Sequence, residues 1–385
     1  MELLQSSELT YMQRKMFICN KLPVYRLPFI YEIPEHVSLH EVSTALLITL
    51  QECLTLQTRY TYDAERRTFN QFYHRLDPNQ FKISHIFLEE HPEIYLKQKK
   101  DMIDLTKEYP WRAQFAEYKQ QMYLLIEFHH ICIDGMGIRN FESMFMDHLA
   151  GRSRNSPDSD FRFYQRINEL QTNKSSFTKG EFLKLSEQNM HLTTRKSHLN
   201  RLIKHLKPEQ LQHIEQISTW LKVTKNSVFQ GLWESVLEQT CTGSVYGTIG
   251  NWRMSMGAFY EIGCFVQMQP RRIARGRDTL TTIRQISLDN LSTFAKRDKE
   301  PHTLCTSDYP VVYSYEEDMF RYFQYIPADN LNKFELYIRV YLVNGKAQIE
   351  IEYNSSQYSE EQTRFMLDLF DTTLENCLVQ KGDFC

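Results

Sequence analysis

A chain of 385 residues with 42% hydrophobic and 24% charged residues has the balance of a globular protein and suits two domains of ordinary size. The formal net charge is only -3, so electrostatics gives no reason to expect a nucleic-acid partner. The eight cysteines lack CxxC spacing, the amino terminus lacks the basic-then-apolar order of a secretory signal, and no apolar run approaches the about 20 residues that cross a bilayer. These features exclude a zinc-ribbon or disulfide-stapled domain and predict a cytoplasmic protein with no membrane contact.

In chain order, the pattern predicts a short amphipathic start over Leu9 to Phe17 and an extended run over Leu22 to Ile33. A helix follows from Leu39 to Thr58, where Val42, Leu46 and Leu50 recur at helical spacing. Ser38 with Glu41 three residues on forms its capping box. Strands are predicted at Phe69 to His74, Ile83 to Phe87, Arg112 to Tyr118 and Met122 to His129, the last pair joined as a hairpin across Lys119-Gln120-Gln121. A helix from Ile138 to Leu149 closes this half. The breaker-rich stretch after Gly151 reads as a linker, giving a first subdomain over 1–155, a linker over 156–180 and a second subdomain over 181–385.

The second half repeats the mixture. Helices are predicted at Pro208 to Leu221, Lys225 to Gln239 and Thr279 to Lys296, with a last one from Ser359 to about Leu378. Strands are predicted at Ser244 to Ile249, Ile262 to Gln269, Pro310 to Tyr315, Phe334 to Val343 and Ala347 to Tyr353, the last two around the turn Asn344-Gly345. The fold class is therefore α+β, a sandwich repeated twice. Neither GxGxxG nor GxxxxGK[ST] occurs, so no nucleotide-phosphate cradle is predicted.

The chemistry concentrates at His129-His130-Ile131-Cys132-Ile133-Asp134-Gly135, after an apolar strand and before a helix. Successive strand residues face opposite ways, so His129 and His130 are not expected to share a metal ion. Gly135 and Gly137 allow a positive-φ turn or a close backbone approach. Cys132 shares strand parity with His130 and is an alternative nucleophile, although no third residue in the sequence orients the two.

This HHxxxDG segment resembles the active-site motif of nonribosomal peptide synthetase condensation domains, within the chloramphenicol acetyltransferase-like superfamily. The resemblance extends to Leu9-Thr10-Tyr11-Met12-Gln13-Arg14, Leu56-Gln57-Thr58-Arg59-Tyr60, Pro110-Trp111-Arg112-Ala113, Ile262-Gly263-Cys264-Phe265-Val266 and Pro310 to Tyr315. It implies two chloramphenicol acetyltransferase-like α/β sandwich subdomains in a V-shaped pseudo-dimer with a central tunnel. It further implies a stand-alone condensation enzyme, a transferase acting in natural-product biosynthesis. Such an enzyme would move an acyl or aminoacyl group from a carrier-protein thioester to an amine, with His130 as general base or as the residue that positions the acceptor.

By the same resemblance, His129 and Asp134 support the loop and the Gly135 N–H stabilises the oxyanion. No cofactor of its own is implied. The donor would arrive on the phosphopantetheine arm of an acyl or peptidyl carrier protein acting in trans, or on coenzyme A, and the acceptor would be a small-molecule amine or alcohol. A monomer is expected. The alternatives are an acyl-coenzyme A-dependent N- or O-acyltransferase, an epimerising relative, and a diverged docking or recruiting module. Three features depart from the family pattern: Gln57 stands where an arginine usually pairs with the motif aspartate, leaving Arg59 or another cation to do so, Gln267-Met268 replace Asn-Thr, and the stretch between Lys296 and Asp308 lacks the usual His-Gln-Asp-x-Pro-Phe motif.

Overall fold

The computed structural model describes residues 6–99, 101–152, 161–170, 173–175, 181–185, 199–295, 303–305, 309–317, 320–327, 333–343 and 345–382. The chain forms two compact units, each assembled from separate stretches of sequence. The first comprises Met1–Thr172, Trp252–Val266 and Met319–Asp329, and the second comprises Asn173–Asn251, Gln267–Asp318 and Asn330–Cys385. A division that runs once along the chain at 156–180 does not describe these units, because two later segments cluster with the first. Within 156–180, Arg162–Leu170 is a helix with Tyr164, Ile167 and Leu170 buried, and Asn173–Ser175 is a strand. Apart from Phe161, the rest of that stretch lies outside the described residues.

The first unit is built on a five-stranded sheet in the order Gln324–Tyr325, Arg26–Glu32, Gln121–His129, Trp111–Tyr118 and Ser84–Phe87. All pairs are antiparallel except the last. The predicted hairpin is present, with Tyr118 paired to Gln121, so the turn holds two residues rather than three. Lys119 and Gln120 take φ of 49° and 68°, the left-handed pair that matches a two-residue hairpin turn to strand twist. Phe128, Ile126 and Leu124 point from one face into a core shared with Val42, Leu46 and Leu50 of the helix Leu39–Glu52 and with Phe141 and Phe145 of the helix Gly135–Leu149. The Ser38–Glu41 capping box forms as expected.

That first helix ends at Glu52 rather than Thr58: Leu54–Gln57 tightens into a 3-10 turn, and Thr58–Asp63 is a strand that the sequence reading missed. A further helix, Pro92–Gln98, was also missed.

The second unit holds a six-stranded mixed sheet in the order Leu199–His205, Lys346–Asn354, Leu336–Val343, Val311–Glu317, Val245–Asn251 and Val266–Arg272. The strand expected over Ile262 to Gln269 begins later, at Val266. Val343 pairs with Lys346 across the expected tight turn. Gly345 there has φ 71°, and Asn344 lies outside the described residues. The helix Lys225–Thr240 is buried on nearly every side, which explains its weak amphipathic pattern. Its Gly231 lets the helix Thr279–Ala295 approach closely, since a Cβ there would stand 2.4 Å from Ile283 Cγ1. No helix among the described residues is long and apolar enough to cross a membrane.

Candidate functional site

The site is built where the strand Gln121–His129 runs out into the helix Gly135–Leu149. Between them, Ile131, Cys132 and Ile133 are fully buried and anchor the turn by their side chains. Its backbone is tied at every step: His129 N–H donates to Pro110 O (2.8 Å), His130 N–H to Tyr25 O (2.8 Å), and Asp134 N–H to Gly263 O (3.0 Å). Gln13, buried within the first helix Tyr11–Ile18, donates from Nε2 to Ile131 O at 3.1 Å. The amino-terminal motif therefore braces the histidine turn directly.

The two histidines differ in burial and in tautomer. His129 is 1% exposed, and its Nδ1 accepts the Ile131 N–H at 3.1 Å, which puts the proton of the neutral ring on Nε2. His130 is half-buried, and its Nδ1 lies 2.9 Å from Ile133 O. A carbonyl can only accept, so Nδ1 carries the proton and the basic lone pair of the neutral ring is on Nε2. Adjacent imidazoles are thus set in opposite tautomers by backbone groups. Among the described residues no set of three His, Cys, Asp or Glu comes together as metal ligands.

Asp134 is the N-cap of the helix Gly135–Leu149. Its Oδ1 accepts the Gly137 N–H at 2.7 Å and its Oδ2 accepts the Phe265 N–H at 2.9 Å. The cation that pairs with it is Arg253, whose Nη2 lies 2.7 Å from Oδ1. The Arg253 guanidinium also donates to Gly263 O (3.0 Å), Ala258 O (3.0 Å) and Glu261 O (2.5 Å), and lies 4.5 Å from the Phe265 ring centre.

Arg253 is the other cation that the sequence reading left open, and Arg59, the one it named, does not fill the role. Gln57 is spent locally, accepting from Leu76 N–H at 2.9 Å and donating to Gln51 O at 2.7 Å, while Arg59 lies over the Tyr109 ring. Arg253 was missed because the tripeptide Asn251-Trp252-Arg253 carries no motif signal.

Gly135 and Gly137 are not among the positive-φ residues. For Gly137 the close approach is what matters: a Cβ there would stand 2.8 Å from Ile133 Cγ1, 3.0 Å from Gly263 O and 3.2 Å from Arg253 Nη2. Gly135 opens the helix, where the first-turn N–H groups have no intrahelical acceptor. Cys132 is fully buried, its thiol donates to His129 O at 3.1 Å, and burial, with Cys264 adding to it, pushes the thiol well up. That thiol stays protonated, so the nucleophile reading of Cys132 fails on its environment.

Farther along the same helix, buried Glu142 accepts the backbone N–H groups of Arg321, Tyr322 and Phe323 at 2.6–3.1 Å. It fastens the segment whose Gln324–Tyr325 completes the sheet beside Arg26–Glu32.

This fold is shared with three solved domains. The epimerization domain from the third module of tyrocidine synthetase B matches with a TM-score of 0.75 at 16% identity, over 98% of both chains. The condensation domain from the Monacolin K polyketide synthase MokA matches with a TM-score of 0.75 at 12% identity, over 97% of both chains. The X-domain from teicoplanin biosynthesis matches with a TM-score of 0.71 at 14% identity, over 96% of this chain and 95% of that one. No curated protein matches the sequence. The Condensation domain family model matches residues 4–304, and the chain belongs to the condensation-domain family.

Proposed function

We propose that this protein transfers an acyl or aminoacyl group from a carrier-protein thioester to an amine acceptor, with His130 as the general base. The observation that supports this most is the His130 tautomer: Nδ1 is committed to Ile133 O, which leaves the Nε2 lone pair on a half-buried ring at the end of a rigid strand. A base needs a basic nitrogen in a fixed orientation on an accessible ring.

In this mechanism the acceptor amine attacks the thioester carbonyl carbon while Nε2 takes one amine proton. The carbonyl oxygen becomes an oxyanion, for which the Gly135 N–H at the start of the helix Gly135–Leu149 is the donor this reading assigns. Collapse of the tetrahedral intermediate breaks the C–S bond, and the imidazolium returns its proton to the departing thiolate. The amide and the free phosphopantetheine thiol are the products. Asp134 and His129 take no proton in this scheme. They hold the turn that aims His130.

The test is product formation by wild type and His130→Ala with one acyl group presented on a carrier protein and on coenzyme A, against mixed amines and alcohols. The expected result is turnover of the carrier-linked donor that falls by about a hundredfold or more in the variant. Turnover of the coenzyme A form alone would replace the donor class with an acyl-coenzyme A-dependent acyltransferase. Inversion of the donor's Cα without transfer would make the protein an epimerase, and turnover indifferent to His130→Ala would remove His130 from the chemistry.

A further inference from the structure

The strand Thr58–Asp63 and its antiparallel neighbour Thr68–Tyr73 turn one face into the core, where Tyr60 and its cross-strand partner Gln71 are buried. Side chains alternate along a strand, so Arg59 and its partner Phe72 lie on the opposite face. His74 shares that face: its N–H donates to Gln57 O at 2.7 Å, which continues the ladder by one residue. Arg59 and His74 rest against one ring. The guanidinium carbon lies 5.8 Å from the Tyr109 ring centre, and the imidazole centre lies 5.7 Å from it. Tyr109 is itself fixed, stacked on Trp111 at 5.8 Å and donating its hydroxyl to Arg75 O at 3.0 Å. Between the two aromatics, Pro110 supplies the carbonyl that accepts the His129 N–H.

With Arg253 as the partner of Asp134, Arg59 has no counter-charge of its own. Arg26, Arg112 and Arg253 in the same unit each meet a carboxylate. Arg59 meets none among the described residues, although it is half-buried and its Nε is shut off from solvent with no acceptor. The His74 ring is likewise half-buried and makes no hydrogen bond among the described residues. Burial first and the Arg59 charge second hold that ring below its ordinary value, so at neutral pH it is an uncharged donor of one N–H. Tyr73 and Asp77 are the other titratable groups beside Tyr109. Asp77 makes no ion pair with Arg59, and its Oδ1 holds the N–H and the side-chain amide of Asn79. A guanidinium drawn partly out of water without an anion is disfavoured, and an incoming anion offsets this.

We propose that Arg59 and His74 form a phosphate-binding subsite, and that the group it takes is the phosphate of the donor's phosphopantetheine arm. The second half of this rests on the reading of the donor as a carrier-protein thioester. The donor set fits phosphate: the guanidinium offers a planar fork to two oxygens, and the imidazole N–H offers a third donor from the same face. One cation beside a neutral ring also matches the single negative charge of a phosphodiester. Tyr109 keeps the fork against its ring, so little side-chain freedom is lost on binding. Held there, the arm starts from the same 109–111 segment that supports His129.

The test needs no turnover. The His74 ring is followed by NMR in the full-length protein, its signal assigned by loss in His74→Asn, while inorganic phosphate, phosphopantetheine or pantetheine is added. Both phosphates are expected to shift the signal and raise its titration midpoint, because a bound anion offsets the Arg59 charge. Pantetheine is expected to do neither. Phosphopantetheine should bind more tightly than inorganic phosphate, and Arg59→Gln should weaken it by about tenfold or more. A His74 signal indifferent to both phosphates overturns the proposal, as does an Arg59→Gln variant that binds like wild type. Equal affinity for the two phosphates keeps the subsite and overturns its assignment to the arm. If Arg59→Gln does not fold, the wild-type titrations decide alone. Acyl transfer is measured separately: phosphate binding without transfer from any carrier-linked donor removes the carrier-thioester reading while the subsite stands, and transfer without binding does the reverse.

Discussion

The Asp134 carboxylate and the Arg253 guanidinium meet at 2.7 Å although 119 positions separate them in the chain. Both are buried, at 5% and 2% exposure, and each fills several roles at once. Asp134 caps a helix and holds Phe265 N–H, while Arg253 gathers three carbonyls of its own segment. The pair thus ties the histidine turn to Trp252–Val266. Removing one partner leaves a charge without compensation in the core, which costs about 3–5 kcal/mol. Arg253→Met is expected to lower the urea unfolding free energy by that amount. Arg253→Met combined with Asp134→Asn should recover most of it, because an Asn side chain still caps the helix.

The histidines should separate stability from turnover. His129 is buried, and truncating a buried ring leaves a cavity, so His129→Ala is expected to cost about 2–3 kcal/mol in thermal or urea unfolding. His130 is half-buried, so His130→Ala should cost less than about 1 kcal/mol while abolishing most turnover. Nitrogen-15 spectra at high pH should show the neutral proton on Nε2 of His129 and on Nδ1 of His130. Matching tautomers would contradict the hydrogen-bond assignment.

Gly137 inverts a common rule. Alanine in a helix normally gains up to about 1 kcal/mol over glycine. At this position the added Cβ meets Ile133, Gly263 O and Arg253 within 3.2 Å. Gly137→Ala is therefore expected to destabilise by about 1–3 kcal/mol, read from denaturant unfolding. A stabilised variant would mean that the helix start is less tightly enclosed than its contacts indicate.

Cys132 should be chemically silent. Its thiol is buried, pushed up by that burial, and bonded to His129 O. Under native conditions at pH 8 a thiol-exchange reagent should reach it only on the timescale of unfolding, and Cys132→Ala should keep turnover within a few-fold. Rapid labelling with parallel loss of activity would restore the thiol as a participant.

Acid should remove one identifiable contribution in the second unit. At the start of the helix Thr279–Ala295, Asp278 Oδ1 accepts the Thr281 N–H at 2.9 Å, and hydrogen bonds from Thr281 hold the carboxyl below its ordinary value of 3.8. A depressed carboxyl adds stability that is complete above the unfolded value and is lost as pH falls through the folded one. Asp278→Ala is expected to cost about 1 kcal/mol at pH 7, with the gap to wild type closing below about pH 4. A gap that stays constant down to pH 2 would show that the carboxylate charge plays no part.

What could be read from the sequence follows distance along the chain. The strand Met122 to His129 and the helix after it were visible because their signals, an apolar run and a helical period, lie within a dozen residues. The capping box at Ser38 was visible for the same reason. The Arg253 partner of Asp134 was not, since nothing local marks one arginine among many as the one that returns to the turn. The missed helix Pro92–Gln98 did carry a signal: His91 as cap, Pro92 in the first turn and Glu93 after it. Seven residues were too few for a periodic pattern to reinforce it. Gln57 was legible as a departure from the family, yet its use in bonding Gln51 and Leu76 depends on a 3-10 turn that the predicted longer helix had hidden.

The discontinuous make-up of the first unit also governs the order in which it can be completed during synthesis. When the His129–His130 turn leaves the ribosome, Arg253, Cys264 and the edge strand Gln324–Tyr325 have not been made. Such long-range closure slows folding and leaves partly assembled states exposed. A fragment ending at Thr172 would hold an orphaned Asp134 charge and an unfilled sheet edge. The histidine-bearing half is for that reason no transferable cassette: engineers who graft it onto another protein must carry Trp252–Val266 and Met319–Asp329 along with it.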